Sequence, residues 1–393
     1  MKVVHVVYSL ETGGLENGVV NLVNRTDPAR FNHVIFCLTR SGRLATRIRN
    51  HSVEIIEAGL PASGFRFPAW TLARLIRQLR PDVVHTRGWV TTDAVFAAKL
   101  AGVARVIHGE HGRDWKDTQG TAWKRNQIRR VVGHLVNRYV VVCEYFRGWL
   151  QQTCRIRESK IAHIPNGVDT EKFHPWGAGN GQELEGCSRQ QAAGSNSRRE
   201  QLFGLRRKFG LPVDGLVLGS VGRLDPVKDF NTLLCGFAAA SRRFPKTHLA
   251  IAGGGPLADS LKKAAGALGI DGSIHWLGER DDIPSLMRCF DVFVQTSLFE
   301  GMSNTILEAM ASGLPVIATD TGGNGELVVA GENGILIPVG DANALALAIE
   351  SYLMDSRTRH DHSLKSRERA LRQFDLSLMA QRYAGLYEEV AAR

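Results

Sequence analysis

Glu300 and Glu308 are two carboxylates separated by seven residues. Between them stand Gly301, Met302, Ser303 and Asn304, followed by a helix-forming run from Thr305 to Ala311. Upstream, Val292-Phe293-Val294 has the character of a short buried strand, and downstream Gly313-Leu314-Pro315 stops the helix. The segment reads as strand, loop, helix, with small polar residues at the helix start. Free N–H groups and the positive end of the helix dipole favour an anion there, typically phosphate. Glu308 falls about one turn into the helix, too deep to cap it. A carboxylate in that place repels phosphate, so it is expected to face sugar or ribose hydroxyls. Taken alone, such a spacing is more often a loop and a helix with two solvated glutamates. The other loops of the chain change that balance.

Gly222-Arg223-Leu224-Asp225-Pro226-Val227-Lys228-Asp229 follows the apolar run Leu216–Val221. Arginine offers a planar two-pronged donor and lysine a point charge, which together can neutralise a diphosphate without a metal. Thr12-Gly13-Gly14-Leu15-Glu16 follows the first apolar run and opens a helix. Paired glycines let a ligand come close to the backbone, although a plain tight turn needs the same residues. The pattern is not G-x-G-x-x-G, so no nicotinamide cofactor is indicated. Gly109-Glu110-His111-Gly112-Arg113-Asp114 follows Arg105–His108, with His108 expected as the last strand residue. His111 can hydrogen-bond or exchange a proton with a sugar or leaving group near neutral pH, and His85 is expected to support it from the neighbouring strand. Gly253-Gly254-Gly255-Pro256 and Gly278-Glu279-Arg280 can border a base or ribose through backbone groups, and Thr321–Glu326 is a further exposed turn.

The elements that hold these loops are parallel strands. Expected strands are Val3–Val7, Val34–Leu38, Val53–Ile56, Val83–Thr86, Arg105–His108, Tyr139–Cys143 and Ile161–Ile164, with helices such as Leu72–Leu79 and Asp93–Leu100 between them. A second series is Leu216–Val221, His248–Ala252, Ile274–Leu277, Val292–Val294, Val316–Thr319 and Ile335–Ile337. Strands alternating with helices imply βαβ units, hence two doubly wound α/β domains facing across a cleft, with ligands at the carboxyl ends of the strands. Pro165–Pro175 is a turn-rich crossing, and 176–200, rich in Gly, Ser, Asn and Gln, is expected to be a flexible polar insert.

The chain has 393 residues, enough for two or three domains, and a net charge of +10 that suits an anionic partner. Its six cysteines, at 37, 143, 154, 187, 235 and 289, contain no C-x-x-C pair, which suits a reducing cytoplasm and no structural metal. No stretch approaches 18 apolar residues, so no membrane-spanning helix is expected. Met1-Lys2-Val3-Val4-His5-Val6-Val7-Tyr8 is expected as a strand rather than a signal peptide. Trp123 to Arg138, read as a helix, places Trp123, Ile128, Val131, Val132 and Leu135 in one stripe with Lys124, Arg125 and Arg129 beside it. That is a candidate for peripheral contact with an anionic membrane. More often such a stripe packs inside and the charges are simply solvated.

Taken together, the Gly13-Gly14 loop, Asn166-Gly167-Val168-Asp169, Gly222-Arg223 with Lys228, Gly253–Pro256, Glu300–Glu308 with Ala309–Val316, and Gly322-Gly323 with Glu326 resemble the GT-B glycosyltransferases, specifically the retaining family 4. The resemblance spans nearly the whole chain. It implies a GT-B fold, with an acceptor-side domain over 1–165 and a nucleotide-sugar domain over 166–376, the helix 377–393 packing back on the first. It implies Arg223 and Lys228 on the diphosphate, Glu308 on ribose, and Glu300 with Gly301, Met302 and Ser303 around the donor sugar. Gly13, Gly14, Gly222, Gly253, Arg280 and Asn304 join the nucleotide-sugar set, and His111 matches the active-site histidine of the first domain. It further implies a nucleotide-diphosphate sugar as substrate, no cofactor or metal, and a glycan or polyprenyl-linked acceptor at the inner face of the plasma membrane. Thr12–Gly18 and Gly109–Asp114 look closer to sugar transferases of bacterial exopolysaccharide systems, including the type linked to exosortase. Rival readings are a GT-B sugar-nucleotide epimerase, a glycogen-synthase-like enzyme, a silent sugar-binding scaffold, or a nucleic-acid binder. The last lacks any helix-turn-helix, zinc or RNP signature.

Overall fold

The computed structural model describes residues 1–392 except 12, 61–68, 113–116, 118–119 and 177–190, together with the backbone alone of 191–198. Thr12, Arg113, Asp114 and most of the polar insert therefore lie outside the described residues. The chain forms two compact units, Met1–Gly167 with Leu376–Arg393, and Val168–Asp375.

The first unit is built on seven strands, β1 Lys2–Val7, β2 Asn32–Cys37, β3 Glu54–Glu57, β4 Val83–Arg87, β5 Val106–Glu110, β6 Arg138–Val141 and β7 Ile161–His163. All pair in parallel, in the order β3-β2-β1-β4-β5-β6-β7. Its helices are α1 Gly14–Arg25, α2 Ala69–Leu79, α3 Thr92–Leu100, α4 Trp123–Leu135 and α5 Glu144–Gln152. The second unit holds six parallel strands, β8 Leu216–Val221, β9 Thr247–Ala252, β10 Ile274–Gly278, β11 Val292–Gln295, β12 Val316–Thr319 and β13 Gly334–Ile337, in the order β10-β9-β8-β11-β12-β13. Its helices are α6 Gln191–Lys208, α7 Phe230–Arg243, α8 Ala258–Leu268, α9 Ile283–Met287, α10 Asn304–Ala311, α11 Asn324–Leu327, α12 Ala342–Met354 and α13 Ser356–Gln373. A last helix, α14 Leu376–Ala392, belongs to the first unit. Its Leu376, Met379, Tyr383, Tyr387 and Val390 pack with Val3, Val83, Ile107 and Val140 of the first sheet.

Both units are thus doubly wound Rossmann-like sheets. In each, strand order reverses at one place: between β1 and β4, and between β8 and β11. The crevice at the carboxyl ends of such a strand pair is where open α/β sheets take their ligands.

Two sequence expectations are corrected. The last part of the stretch 176–200 is not loop: from Gln191 it is the start of α6. Ala192, Ala193, Arg198, Arg199, Glu200 and Gln201 are good helix formers even without an apolar stripe. The end of α6 is tied down by Arg206, whose guanidinium donates to Asp291 at 2.7 Å and to the carbonyl of Cys289 at 3.0 Å. Strand β5 does not stop at His108. Gly109 pairs with Arg87 and Val140, and Glu110 with Val141, so His111 stands directly past the strand end.

Strands buried on both faces read as continuous apolar runs, yet this first sheet contains four buried histidines, His5, His33, His85 and His108. Each is hydrogen-bonded. His5 meets His33 at 2.9 Å, and His33 meets Thr26 at 2.7 Å. His85 meets the Tyr387 hydroxyl at 2.9 Å, and His108 meets Thr86 at 2.7 Å. Burial pushes all four below the ordinary histidine range, His33 and His108 to about 4; Arg87 adds to the effect at His5, His33 and His85, while Glu110 partly opposes it at His108. A histidine buried neutral is charged in the unfolded chain below about pH 6.5, so its contribution is complete above that value and is lost as pH falls toward about 4. The unfolding free energy is therefore expected to drop between about pH 7 and about pH 5, by up to about 1.4 kcal/mol per pH unit for each such histidine, and the thermal midpoint to fall with it. A thermal unfolding series over that range checks this; a flat midpoint contradicts the neutral assignment.

Candidate active site

At the reversal point of the second unit, the loop after β8 carries Gly222, Arg223 and Lys228, and the loop after β11 carries Ser297 and Glu300. The two loops are joined by backbone and side-chain bonds. The Leu298 amide donates to the Val227 carbonyl at 2.8 Å, and the Thr296 hydroxyl donates to the Asp229 carbonyl at 2.9 Å. Lys228 Nζ lies 2.5 Å from Glu300 Oε1, and the same oxygen accepts from the Ser297 hydroxyl at 2.7 Å. The lysine is thereby held at the loop crossing as a positioned cation rather than left as a solvated chain.

Arg223 is oriented by a different acid. Its Nε donates to Asp225 Oδ2 at 2.5 Å, while 76% of its side chain stays exposed. The guanidinium keeps donors free for an incoming anion, and Asp225, nearly buried, fixes its base. Asp229, at φ 45°, is the αL residue that caps α7, accepting from Thr232 Oγ1 at 2.6 Å.

Beyond Glu300 the chain runs through Gly301 and Met302 to Ser303, the N-cap of α10, whose hydroxyl accepts from the Ile306 amide at 3.3 Å. Asn304 opens the helix, and Glu308 sits one turn inside it, half-buried. The expected strand, loop and helix are all present. Thr305 is held by Gln295 Nε2 at 3.2 Å, and the other amide atom of that glutamine, Oε1, is buried without a partner.

Gly253 and Gly254 join the set through the backbone. The Gly222 amide donates to Ala252 O at 3.0 Å, Leu224 to Gly254 O at 2.8 Å, and Gly253 to Gly278 O at 2.8 Å. A cavity of about 370 Å³ is lined here by Leu224, Gly253, Gly254, Lys262, Trp276 and Gly278. Its lining joins glycine backbone and the Trp276 indole with Leu224, Ala258, Leu277 and Lys262, and the indole suits a flat ring. Arg280 departs from expectation. Its side chain is turned onto Asp282, at 2.7 and 2.9 Å, and over the Phe209 ring at 4.8 Å. Two residues on, the aspartate offers a bidentate partner that a loop reading does not reveal.

Gly13, Gly14 and His111 belong to the first unit. Gly13 is the N-cap of α1 and Gly14 its first residue. A Cβ on Gly13 would stand 2.0 Å from a carboxylate oxygen of Glu16, so this glutamate folds back over the helix start. The place read as an anion site thus holds the chain's own carboxylate. Burial raises the Glu16 pKa above its ordinary value. His111 lies past β5, half-buried, with Arg87 Nη1 at 3.4 Å from its Nε2. Burial, then Arg87 and His108, hold its pKa well below the ordinary range.

Sequence reasoning missed Ser297, Asp225 and Arg87. Ser297 and Asp225 stood within three residues of chosen ones, which was the available signal. Arg87 likewise stood two residues past His85, although its other partners, His111 and Tyr383, come from beyond β5 and from α14. The reading also misplaced Arg129. It is buried, with Nε 2.5 Å from Glu110 Oε1 and its guanidinium carbon 4.7 Å from the Trp89 ring centre and 4.9 Å from that of Trp149. Among the described residues no group of three or more His, Cys, Asp or Glu could hold a metal ion.

Two family models match this chain: Glycosyltransferase Family 4 over residues 12–172 and Glycosyl transferases group 1 over residues 204–369. EpsF of Bacillus subtilis (strain 168), a protein assigned to the glycosyltransferases, is 30% identical over 336 residues, 81% of this chain and 79% of that one. The UDP-Gal:alpha-D-GlcNAc-diphosphoundecaprenol alpha-1,3-galactosyltransferase of Escherichia coli is 29% identical over 330 residues, 81% of this chain and 78% of that one. Among solved structures, Anabaena Alr3699/HepE in complex with UDP shares the fold at a TM-score of 0.81 and 20% identity, over 99% of this chain and 100% of that chain.

Two glycines of the site admit no side chain. A Cβ on Gly253, at φ +144°, would stand 1.9 Å from the Gly222 carbonyl, and one on Gly322, at φ +55°, 1.6 Å from the Glu300 carbonyl. Gly253→Ala and Gly322→Ala are each expected to cost at least about 1–3 kcal/mol. Gly272→Ala, whose Cβ meets nothing within 4 Å, is expected to stay within about 0.5 kcal/mol. Chemical denaturation of the three variants checks this, and equal midpoints would contradict the close approach.

Proposed function

The chain belongs to the group 1 glycosyltransferases, enzymes that act on nucleotide sugars, and from that premise we propose a retaining transferase that moves a sugar from a nucleoside-diphosphate donor to a lipid-linked or glycan acceptor in bacterial surface polysaccharide synthesis. The observation that carries the donor site is the Lys228–Glu300–Ser297 crossing at the reversal point of the second sheet, beside the start of α10. A diphosphate there meets Lys228, the free donors of Arg223 and the N–H groups at Ser303 and Asn304. These aim positive charge at the phosphate that departs, which is where negative charge develops in the reaction. Two fixed cations and a helix start supply that charge without a metal. Glu308 takes the ribose hydroxyls, Glu300 the donor sugar, and the cavity beside Gly253 and Trp276 the base.

Retention in this reading comes from attack on the same face as the leaving phosphate, which accepts the proton of the acceptor hydroxyl. The first unit, with His111, binds the acceptor side. The name of the Escherichia coli relative specifies a diphosphoundecaprenol-linked acceptor, and the name of the Anabaena structure specifies UDP. Both support a uridine diphosphate sugar and a lipid-linked acceptor here. An acceptor of that kind favours a peripheral membrane site. Trp123, Ile128 and Val131 on α4 are 69%, 36% and 51% exposed, and Lys124 is exposed beside them. Arg129 is excluded from such a surface by its burial. Among the described residues no helix is long and apolar enough to cross a membrane.

UDP is expected to raise the thermal midpoint more than GDP or ADP. A ligand at one hundred times its dissociation constant stabilises by about 2.7 kcal/mol. Arg223→Ala and Lys228→Ala should each weaken UDP binding by about 1.5–3 kcal/mol. Unchanged isotherms in both would remove the diphosphate assignment. NMR of the first-formed product should show the donor's anomeric configuration; inversion would end the retaining reading. In a separate test, vesicle co-sedimentation should depend on acidic lipid and fall when Lys124, Arg125 and Arg130 are replaced by Gln. Binding indifferent to acidic lipid would contradict the membrane proposal alone.

A further inference from the structure

Arg87 ends β4 at the reversal point of the first sheet and is 2% exposed. Its guanidinium makes three contacts. Nη1 lies 3.4 Å from His111 Nε2 and 3.4 Å from the Tyr383 hydroxyl, and Nη2 lies 3.3 Å from His85 Nδ1. Its carbon stands 5.1 Å from the Tyr383 ring centre. Among the described residues no carboxylate pairs with it, and its Nε is buried without a partner. A buried cation held by two imidazoles and a tyrosine is expensive in free energy, and stability alone gives no account of it.

Its chemistry constrains its neighbours. Guanidinium stays charged at every accessible pH and only donates. Each nitrogen facing it must therefore accept. For His85 that nitrogen is Nδ1; for His111 it is Nε2. A neutral imidazole that accepts at one nitrogen carries its proton on the other. We propose that Arg87 is the positioning residue for His111, holding it as a neutral imidazole whose Nε2 lone pair is engaged and whose Nδ1–H is the group offered to a substrate oxygen. His111 then donates a hydrogen bond and does not act as a general base, because its one free lone pair is already taken. This rests on the reading of His111 as a residue of the transfer site.

The surroundings agree with this role. Gly109 pairs with Arg87 across the strands, and a Cβ there would stand 2.5 Å from His111 Nε2. The ring therefore lies directly on Gly109, beside Arg87. The titratable and charged groups around the pair are His5 of β1, His33 of β2, His85 of β4, His108 and Glu110 of β5, and Tyr383 and Tyr387 of α14. Glu110 is spent on Arg129 at 2.5 Å, and Tyr387 on His85 at 2.9 Å. Neither is left to draw a second proton onto His111. Burial, Arg87 and His108 all act against the imidazolium.

The test uses the full chain labelled with ¹⁵N-histidine, the His111 signals being assigned by their loss in His111→Asn. Long-range ¹H–¹⁵N spectra are expected to show the Nδ1–H tautomer, unchanged from about pH 8 down to about pH 5.5, where an ordinary histidine of pKa about 6.5 is mostly protonated. In Arg87→Met the imidazole should titrate closer to that value. Its kcat should fall roughly 10²-fold, as for a misplaced group, while KM for the nucleotide sugar stays within about twofold. Arg87→Lys, which keeps the charge and a donor, should recover part of kcat. An Nε2–H tautomer in the wild-type chain overturns the proposal, and so does an Arg87→Met kcat that matches wild type. The wild-type spectrum needs no variant to fold and no transfer to occur. It therefore judges Arg87 separately from the transferase reading, which a wild-type chain inert toward every donor would oppose.

Discussion

The approach of one backbone to another, close enough to exclude any side chain, is the constraint on which the second unit's site depends. Gly253 faces the Gly222 carbonyl, and Gly322 the Glu300 carbonyl, so closely that a Cβ on either would overlap that oxygen. Around these contacts the loops after β8, β9 and β10 exchange amide bonds, as do those after β11 and β12, where Gly323 donates to Gly301 at 2.8 Å. The Thr319 hydroxyl closes the same seam onto Ser297 at 2.6 Å. Loops tied in this way behave as a continuation of the sheet. Lys228 and Glu300 lie 72 positions apart in sequence, yet their 2.5 Å contact needs no long flexible reach. A site placed on so rigid a seam keeps its charges where a departing phosphate would need them, with little reorganisation.

Much of this was legible because parallel sheets write their strands as short runs of Val, Ile and Leu. Leu216–Val221 and Val316–Thr319 have the bounds read from sequence, and the other strands differ only at their ends. The Ser303 cap and the depth of Glu308 followed from residue types and a helix stop, all local in sequence. Family resemblance then supplied what spacing alone did not, the roles attached to Arg223, Lys228 and Glu300. The polar insert was harder. Its composition spoke against a helix from Gln191, while the tie that steadies α6, Arg206 to Asp291, spans 85 positions and leaves no local trace.

Side-chain direction was the least legible quantity. Arg125, Arg129 and Arg130 look alike in sequence, and helical spacing gave Arg129 to the surface stripe. The structure instead buries it between two indoles against Glu110. Trp89 and Trp149 come from elements separated by 60 residues in sequence, so no window of periodicity finds the slot they make. Arg280 shows the converse, since a cation taken for a ligand contact is occupied by an aspartate two residues away. Gly13 and Gly14 show a third case, where Glu16 fills the helix start that an external anion was expected to fill.

Buried charge in the first unit gathers around one short stretch, 109–111. Glu110 is pinned by Arg129, and His111, the next residue, by Arg87. Removing one partner of a buried ion pair commonly costs about 3–5 kcal/mol, whereas replacing both by apolar residues is often neutral. Such a pair is therefore a poor device for stability and a good one for fixing direction. Two cations, one arriving from β4 and one from α4, act on adjacent residues of the same strand end. The first orients a ring, and the second holds the carboxylate of the residue before it. Apolar packing could supply the same stability but would leave the imidazole free to turn. The expense of burying both arginines is best understood as the cost of a histidine with one orientation and one tautomer.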